Sequence, residues 1–270
     1  MDNWNPKVSI LIRTYQRPQK LIRAIKSVIE QTYKNIEIVV VEDGKAISKD
    51  IIAEYFHGIN IKYTCMDDHV GRSATGNRAL ELSSGEYCCF LDDDDYLYKN
   101  HIELLVSKIG MANCRMVYSW AEEKQVDKKG RVRRKFVCYR FKPNRLLLCE
   151  QNYLPIQSVL FARSLYIESG GFDCELNELE DWDLWLRYIT KTDLAYVPQV
   201  TSCYHTPYNN DDMRKRREKL LSAEEKLKIK KREYKISLNQ DEIRNELAYI
   251  RSYNDSIFGK VKRILQRILY

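Results

Sequence analysis

Four consecutive aspartates, Asp92, Asp93, Asp94 and Asp95, are the strongest candidates for chemistry in the sequence. They come directly after an apolar run, at the end of a predicted strand. Adjacent carboxylates repel one another, so such a run is costly as a plain turn unless a cation neutralises it. Hard divalent cations such as Mg²⁺ and Mn²⁺ prefer oxygen ligands. The run therefore predicts a divalent-metal site, with an acidic solvated turn as the alternative.

A second acidic segment lies at the start of a helix predicted over residues 180–189. Apolar residues there recur at helical spacing, whereas Glu178, Glu180 and Asp181 crowd the beginning. The positive end of a helix dipole stabilises acids in the first turn, so capping explains some of them. A carboxylate at this place can also act as a general base if a hydroxyl comes within hydrogen-bond reach. Both interpretations stay open at this point.

Three further polar segments follow predicted strands. They are residues 13–17, 42–44 and 71–78. Glycine and aspartate after a strand usually mark only a turn, so each segment alone is a weak indication of function. Ligand sites, however, gather a few polar groups in one concave place. Together the segments predict one binding site along a single edge of a sheet.

The elements that position these residues are predicted from apolar runs that alternate with amphipathic segments. The runs predict strands at 8–12, 36–41, 60–65 and 87–91, separated by three helices. This alternation predicts an α/β fold with an open, mostly parallel sheet flanked by helices. Ligands of such sheets bind beyond the carboxyl ends of the strands. After Asp95 the pattern loosens into a helix, a hairpin at 127–130 and a strand near 195–204.

The formal net charge of +7 is concentrated near the C-terminus. Residues 213–270 contain 17 Lys and Arg against 8 Asp and Glu, so the rest of the chain is close to neutral. This contrast predicts a catalytic domain over 1–212 and a basic helical extension over 213–270. Residues 258–269 show a basic amphipathic pattern. It fits a membrane surface, docking on the catalytic domain or pairing with another chain.

Membrane-spanning segments are not predicted, because no apolar run reaches the ~20 residues that a spanning helix needs. We therefore expect a cytoplasmic protein, with peripheral contact at the inner face of the membrane as an option. A nucleic-acid-binding protein is the weaker alternative, since the body of such a protein should be basic and this one is not. A metal-dependent nucleotidyltransferase also uses clustered aspartates, but no Gly-x-x-x-x-Gly-Lys phosphate loop is present.

Over residues 8–205 the chain resembles a family 2 glycosyltransferase of the GT-A fold. The Leu-Asp-Asp-Asp-Asp sequence at 91–95 resembles the aspartate motif of that family. The Gly-Gly-Phe-Asp sequence at 170–173 resembles its acceptor-side signature, and Glu-Asp-Trp-Asp-Leu-Trp-Leu-Arg at 180–187 resembles its catalytic acid stretch. The resemblance implies an inverting, metal-dependent transfer of a sugar from a nucleotide-diphosphate donor, with a C-terminal helical tail beyond the GT-A fold.

The resemblance also implies a role for each matching residue. Residues that border the donor are implied to be Thr14, Tyr15, Arg17, Arg72, Asn77, Asp92 and Asp93. Glu42 or Asp43 would accept a hydrogen bond from the nucleobase, with uracil as the expected base. The ligands of a Mn²⁺ or Mg²⁺ ion would be Asp94, Asp95 and His205, with a purely structural histidine as the alternative for His205.

Asp181 is implied to be the general base, and Glu180, Trp182 and Gly171 are implied to lie on the acceptor side. The resemblance thus implies a hexosyl- or N-acetylhexosaminyltransferase that uses a UDP-sugar. The acceptor would be a hydroxyl of a glycan or a lipid-linked molecule, in cell-surface polysaccharide synthesis. The oligomeric state stays open.

Overall fold

The computed structural model describes residues 4–255. The amphipathic segment 258–269 lies outside the described residues. None of the helices within the described range is both long enough and apolar enough to cross a membrane.

The first part of the chain forms four parallel strands joined by helices. The elements are β1 Val8–Thr14, α1 Pro18–Ile29, β2 Ile36–Glu42, α2 Lys49–Tyr55, β3 Ile61–Cys65, α3 Arg72–Leu82 and β4 Tyr87–Asp92. The strands lie in the order β3-β2-β1-β4 and all pair in parallel. Every residue of β1 is buried, as expected for a strand covered on both faces. This part confirms the predicted alternation of strands and helices.

The second part extends the same sheet with strands of mixed direction. The elements are β5 Tyr96–Leu97, α4 His101–Met111, β6 Met116–Val126, β7 Val132–Phe136, α5 Arg145–Glu150, β8 Val159–Ala162, α6 Arg163–Ser169, α7 Glu180–Tyr188 and β9 Leu194–Pro207. β8 pairs antiparallel with both β4 and β6, whereas β6 and β9 are parallel. The short strands β5 and β8 were not predicted.

Two hydrophobic clusters cover the two faces of the sheet, and β1 contributes alternate residues to each. Leu11 belongs to the cluster beneath α7, whereas Ile10 and Ile12 belong to the cluster beneath α1 and α4. Because β1, β2 and β4 are parallel, their carboxyl ends lie at one edge of the sheet, where the polar segments of the sequence meet.

Two C-terminal helices follow the sheet, α8 Asn210–Lys230 and α9 Gln240–Asp255. The Asn209 side chain caps α8 by accepting from the backbone N–H of Asp212 at 2.8 Å. Leu227 of α8 is completely buried and belongs to the same cluster as Trp185 of α7. The helices thus pack on the body of the protein. The division into domains at residue 212 stays a prediction.

Candidate active site

A cleft of about 580 Å³ opens at the carboxyl edge of the sheet. It continues into a smaller pocket of about 180 Å³. Both are lined by Arg13, Arg17, Arg72 and Asp92. The larger cleft also contains Asp94, Asp95, Asp181 and His205, whereas the smaller pocket contains Thr14, Tyr15 and Asp43. The structure therefore brings most of the predicted site residues into one continuous depression.

Arg13, at the end of β1, joins the two acidic motifs. Its Nε and Nη2 donate to the same oxygen of Asp92 at 2.9 and 2.7 Å, and its Nη1 donates to Glu180 at 2.9 Å. Burial by itself lowers the pKa of Arg13, but Asp92 and Glu180 outweigh it and raise the pKa above the usual value. The guanidinium therefore remains charged and ties the end of β4 to the first turn of α7.

Arg13 belongs to the polar segment 13–17, but no individual role was predicted for it. One feature of the sequence marks it, because it is a charged residue at the end of a largely apolar strand. In the structure it pairs with Asp92 across the parallel strands. A long cation at the end of a buried strand needs carboxylate partners, because an unpaired buried charge is costly. The acidic segments at 92–95 and 178–183 supply such partners, but their proximity is evident only in three dimensions.

On the donor side, the aspartate run is compensated by cations from β1 and α1. Thr14 donates to Asp93 at 2.7 Å, and Arg17 contacts Asp93 at 2.7 Å and Asp94 at 2.8 Å. Lys20 adds a second cation to Asp94 at 3.2 Å. Burial raises the pKa of Asp93 to about 6 despite Arg17. Asp93 is completely buried beneath the cleft surface, where it contacts Thr14 and Arg17 and holds them in place.

The smaller pocket has an aromatic wall. The rings of Tyr15 and His69 stack with centroids 4.2 Å apart, and His69 Nδ1 lies 2.7 Å from Asp43. Asp43 also accepts from the backbone N–H groups of Val70 and Gly71 at 2.7 and 3.0 Å. Asp43 thus anchors the loop before α3 while it lines the pocket. His69 is a pocket residue that the sequence analysis did not select.

Glu42, the other residue expected near the base, lies away from the pocket. Its side chain is completely buried. It accepts from the backbone N–H and hydroxyl of Ser48 at 2.9 and 2.8 Å and from the Tyr63 hydroxyl at 2.6 Å. With these donors engaged, Glu42 stabilises the start of α2. Of the two candidates for a contact with the base, the structure places only Asp43 in the pocket lining.

The predicted metal ligands lie in the larger cleft. Asp95 accepts from the backbone N–H of His205 at 2.9 Å, and the His205 ring nitrogen Nδ1 is 3.6 Å from the same carboxylate oxygen. Burial, followed by repulsion from Asp94 and Asp92, raises the pKa of Asp95 well above its usual value. Burial and the nearby Arg23 lower the pKa of His205 to about 4, so its imidazole is neutral at pH 7.

This set of donor atoms fits a hard divalent cation in chemistry, because a cation would relieve the crowding of carboxylates that raises the pKa of Asp95. The side chains of the three predicted ligands do not converge on a common point at which a cation could bind. Among residues 4–255, no group of three His, Cys, Asp or Glu side chains forms a metal-ready cluster. Asp94 instead faces Arg17 and Lys20. A cation would therefore have to exchange with these basic side chains at Asp94.

Asp181 occupies the opposite side of the cleft, in the first turn of α7. Asn152 donates to its Oδ2 at 3.1 Å, and the backbone N–H of Trp182 donates to its Oδ1 at 2.8 Å. Burial, followed by repulsion from Glu180, raises the pKa of Asp181 to about 7. The side chain therefore has the location and the proton affinity that a general base requires.

Four other predicted residues border or support the cleft in different ways. Asn77 brackets Phe172 with two hydrogen bonds of 2.9 and 2.6 Å, and a Cβ on Gly171 would lie 2.1 Å from its amide oxygen. These two residues thus pack against each other behind the cleft. Trp182 is buried and donates to the Leu148 carbonyl at 2.6 Å. Arg72 is exposed in the cleft lining, 3.4 Å from Glu178.

The strand order and the position of the cleft define a GT-A type of nucleotide-sugar transferase fold, and known structures share it. The S. aureus TarS fragment 1–349 in complex with UDP matches with a TM-score of 0.61 at 17% identity, over 80% of this chain and 65% of that one. The mannosyltransferase PcManGT from Pyrobaculum calidifontis, in complex with GDP-Man and Mn²⁺, matches with a TM-score of 0.64 at 14% identity. This match covers 99% of this chain and 81% of that one.

Sequence comparison identifies the family. The model of glycosyl transferase family 2 matches residues 9–169, and this chain belongs to that family of glycosyltransferases. The putative colanic acid biosynthesis glycosyl transferase WcaA of Escherichia coli is 29% identical over 74% of this chain and 73% of its own length. An uncharacterized glycosyltransferase of Rickettsia bellii is 29% identical over 69% of this chain. The match covers only 28% of the length of that relative.

Proposed function

We propose that this protein transfers a hexose or an N-acetylhexosamine from a UDP-sugar to a hydroxyl acceptor, with inversion at the anomeric carbon. Family membership supports the transfer of a sugar. TarS and PcManGT, which share the fold, were solved with UDP and with GDP-Man respectively, and this supports a nucleotide-diphosphate donor. The pocket of Thr14, Tyr15 and Asp43 is the proposed place of the nucleoside.

The observation that carries the proposal is the bridge made by Arg13. One guanidinium holds Asp92 of the aspartate run and Glu180 beside Asp181, with hydrogen bonds of 2.7 to 2.9 Å. Donor-side and acceptor-side carboxylates are therefore held in one rigid arrangement rather than on independent loops. Such fixed positioning is worth much in catalysis, because the reacting groups lose little further entropy on reaction.

In the proposed mechanism, Asp181 accepts the proton of the acceptor hydroxyl as its oxygen attacks the anomeric carbon. Its pKa of about 7 keeps a large fraction ionised at neutral pH and still leaves it basic enough to take the proton. The bond between the sugar and the diphosphate breaks on the opposite face of the anomeric carbon, so one displacement inverts the configuration. Arg17 and Arg72, at the cleft wall, would neutralise the departing diphosphate.

A divalent cation is part of the proposal, as Mn²⁺ or Mg²⁺. Asp94, Asp95 and His205 would hold it, and when bound it would supply positive charge to the leaving diphosphate. PcManGT carries Mn²⁺, which supports the use of such an ion. The neutral imidazole of His205 and the oxygens of Asp94 and Asp95 are donors that Mn²⁺ accepts.

The acceptor is proposed to be a glycan or a lipid-linked molecule in the synthesis of a cell-surface polysaccharide. The named role of the WcaA relative in colanic acid biosynthesis supports this reading. We propose that the extension beyond residue 212 serves the same enzyme, and that the protein acts in the cytoplasm or at the inner face of the membrane.

Product identity tests the proposal. The protein is incubated with UDP-glucose, UDP-GlcNAc and GDP-mannose, each with cell-envelope acceptors and with Mn²⁺ or EDTA. We expect free UDP and a glycosylated product, both dependent on the metal. Pyrophosphate release from a nucleoside triphosphate with a sugar phosphate would instead identify the rival nucleotidyltransferase. A preference for GDP-mannose would keep the transferase and overturn the choice of uracil.

A further inference from the structure

The C-terminal end of α8 and the residues just after it contact α7, the helix that carries Asp181. Asp183 of α7 is completely buried, and its carboxylate accepts from Arg187 at 2.9 Å and from the Tyr234 hydroxyl at 2.5 Å. The Lys230 ammonium lies 3.4 Å from the same group. Two of the three partners of this buried carboxylate, Lys230 and Tyr234, therefore come from the segment that follows β9.

Lys231 links α7 to α5. Its ammonium donates to the carbonyl of Cys149 at 2.7 Å and lies 4.8 Å from the centre of a Trp182 ring. Trp182 in turn donates to the Leu148 carbonyl at 2.6 Å. The residue directly after Asp181 in the chain is thus sandwiched between α5 and a side chain of the C-terminal helices.

The second C-terminal helix, α9, contacts the start of α5, the helix that precedes Asn152 in the chain. Glu246 accepts from the backbone N–H of Leu146 at 2.8 Å and lies 3.5 Å from Arg145, and its carbonyl accepts from Asn144 at 3.0 Å. These contacts fix the start of α5. The segment that leaves α5 carries Asn152, the side chain that donates to Asp181.

We propose that the C-terminal helices position the general base: Tyr234 and Lys231 hold α7, and Glu246 holds the segment that carries Asn152, so that the Asn152–Asp181 contact keeps its geometry. The proposal rests on the function proposed above for Asp181. Tyr234, Lys231 and Glu246 act as positioning residues, since none of them lines the cleft.

The rival explanation is that these contacts only stabilise the fold. A buried carboxylate that loses a hydrogen-bond donor destabilises any protein, whatever its location. The two explanations differ at Asp181. A loss of stability leaves the proton affinity of Asp181 unchanged in the folded molecules, whereas a displaced α7 or α5 weakens the contact with Asn152.

The groups around Asp181 determine in which direction its pKa moves when the contact with Asn152 weakens. Burial and then Glu180 raise its pKa, whereas the Trp182 N–H, the Asn152 amide and Arg13 lower it. Weakening the Asn152 contact removes a donor to the ionised form, so the pKa of Asp181 rises. The acid limb of turnover then moves to higher pH, because more of the base is protonated at any given pH.

Tyr234→Phe is the main test, because it removes one hydroxyl and keeps the ring. We expect a fall in kcat of roughly 10- to 100-fold, with the donor KM unchanged, since small displacements of catalytic groups have effects of this size. Carbon-13 NMR titration of aspartate-labelled protein, assigned with Asp181→Asn, should show a higher pKa for Asp181. Glu246→Gln, which acts from the other side, should shift the same signal in the same direction.

The matched control is Tyr55→Phe, because Tyr55 is exposed on α2 and contacts Lys26 rather than the cleft. An Asp181 titration that is unchanged in both Tyr234→Phe and Glu246→Gln would overturn the proposal, even if the melting temperature falls. The NMR readout needs no substrate. Failure to find any sugar transfer therefore counts against the proposed function, and an unchanged titration counts against the positioning role.

Discussion

Asp94 and Asp181, on the donor side and the acceptor side of the cleft, lie in different electrostatic environments. On the donor side, Arg17 and Lys20 contact Asp94 at 2.8 and 3.2 Å, and these cations outweigh the effect of burial and lower the pKa of Asp94. On the acceptor side, Asp181 receives hydrogen bonds from the uncharged Asn152 amide and a backbone N–H, and its pKa rises to about 7.

This difference separates binding from proton transfer. A carboxylate kept ionised by cations suits the exchange of one positive partner for another, as binding of a metal ion requires. A carboxyl that titrates near neutrality suits the uptake of a proton during the reaction. Arg13 connects the two sides without erasing the difference, because it contacts Asp92 and Glu180 rather than Asp94 or Asp181.

The largest effect is expected for Asp181→Asn, which removes the proposed base and leaves the donor side intact. We predict a loss of turnover of about 10² to 10⁴-fold, the usual contribution of a general base. UDP should still raise the melting temperature as in the wild type. Asp50→Asn, in the first turn of α2, is the matched control. Turnover of Asp181→Asn at the wild-type rate would remove this residue from the mechanism.

Asp94→Ala removes a proposed metal ligand on the donor side of the cleft. We predict that the affinity for UDP in the presence of Mn²⁺ falls about tenfold or more, which corresponds to the loss of one charge-assisted contact. Isothermal titration with Mn²⁺ and with EDTA measures the effect. In EDTA the variant and the wild type should bind UDP alike. An affinity that Mn²⁺ does not change in the wild type would contradict the metal role of Asp94.

Arg13→Lys tests the bridge between the two sides. A lysine keeps the charge but lacks the planar fork that reaches Asp92 and Glu180 together. We predict that the free energy of unfolding falls by about 1–3 kcal/mol and that kcat falls on the order of tenfold. Urea unfolding and steady-state kinetics measure the two quantities. Arg78→Lys, at an exposed ion pair with Glu81, should change neither.

The smallest effect on the function of the site is expected for Glu42→Gln. Because Glu42 accepts from Ser48 and Tyr63 in the interior, we predict a loss of about 1–3 kcal/mol in the free energy of unfolding. UDP affinity should stay at the wild-type value, whereas Asp43→Asn should lower it. Equal losses of UDP affinity in the two variants would show that Glu42 reaches the base after all.

The sequence predicted the parallel half of the sheet well, because each of its strands is an apolar run between amphipathic helices. The mixed half was less predictable. β5 and β8 are too short to give a period, and their places depend on pairing with distant strands such as β9 and β4. The positions of Asp92 and Asp181 followed from motifs, but the Arg13 bridge from Asp92 to Glu180 depends on where the first turn of α7 lies relative to the ends of β1 and β4.

The predicted roles divide along the same line. Residues at the end of a strand or directly after it, such as Thr14 and Asp43, line the pocket. Asn77 lies on the first helix beyond such a loop and faces Phe172 instead of the cleft. His69 lies in a loop without a motif, and only the stack with Tyr15 reveals it as a pocket residue.

The pH dependence of turnover tests the role of Asp181 most directly. UDP release is measured at saturating donor and Mn²⁺ between pH 5 and pH 9, in parallel with UDP affinity. A base must be deprotonated to act, so a pKa of about 7 predicts that kcat falls toward tenfold per pH unit below about 7 and levels off above it. UDP affinity should vary much less over that limb. A kcat that stays constant from pH 5 to pH 8, with donor binding intact, would contradict Asp181 as the general base.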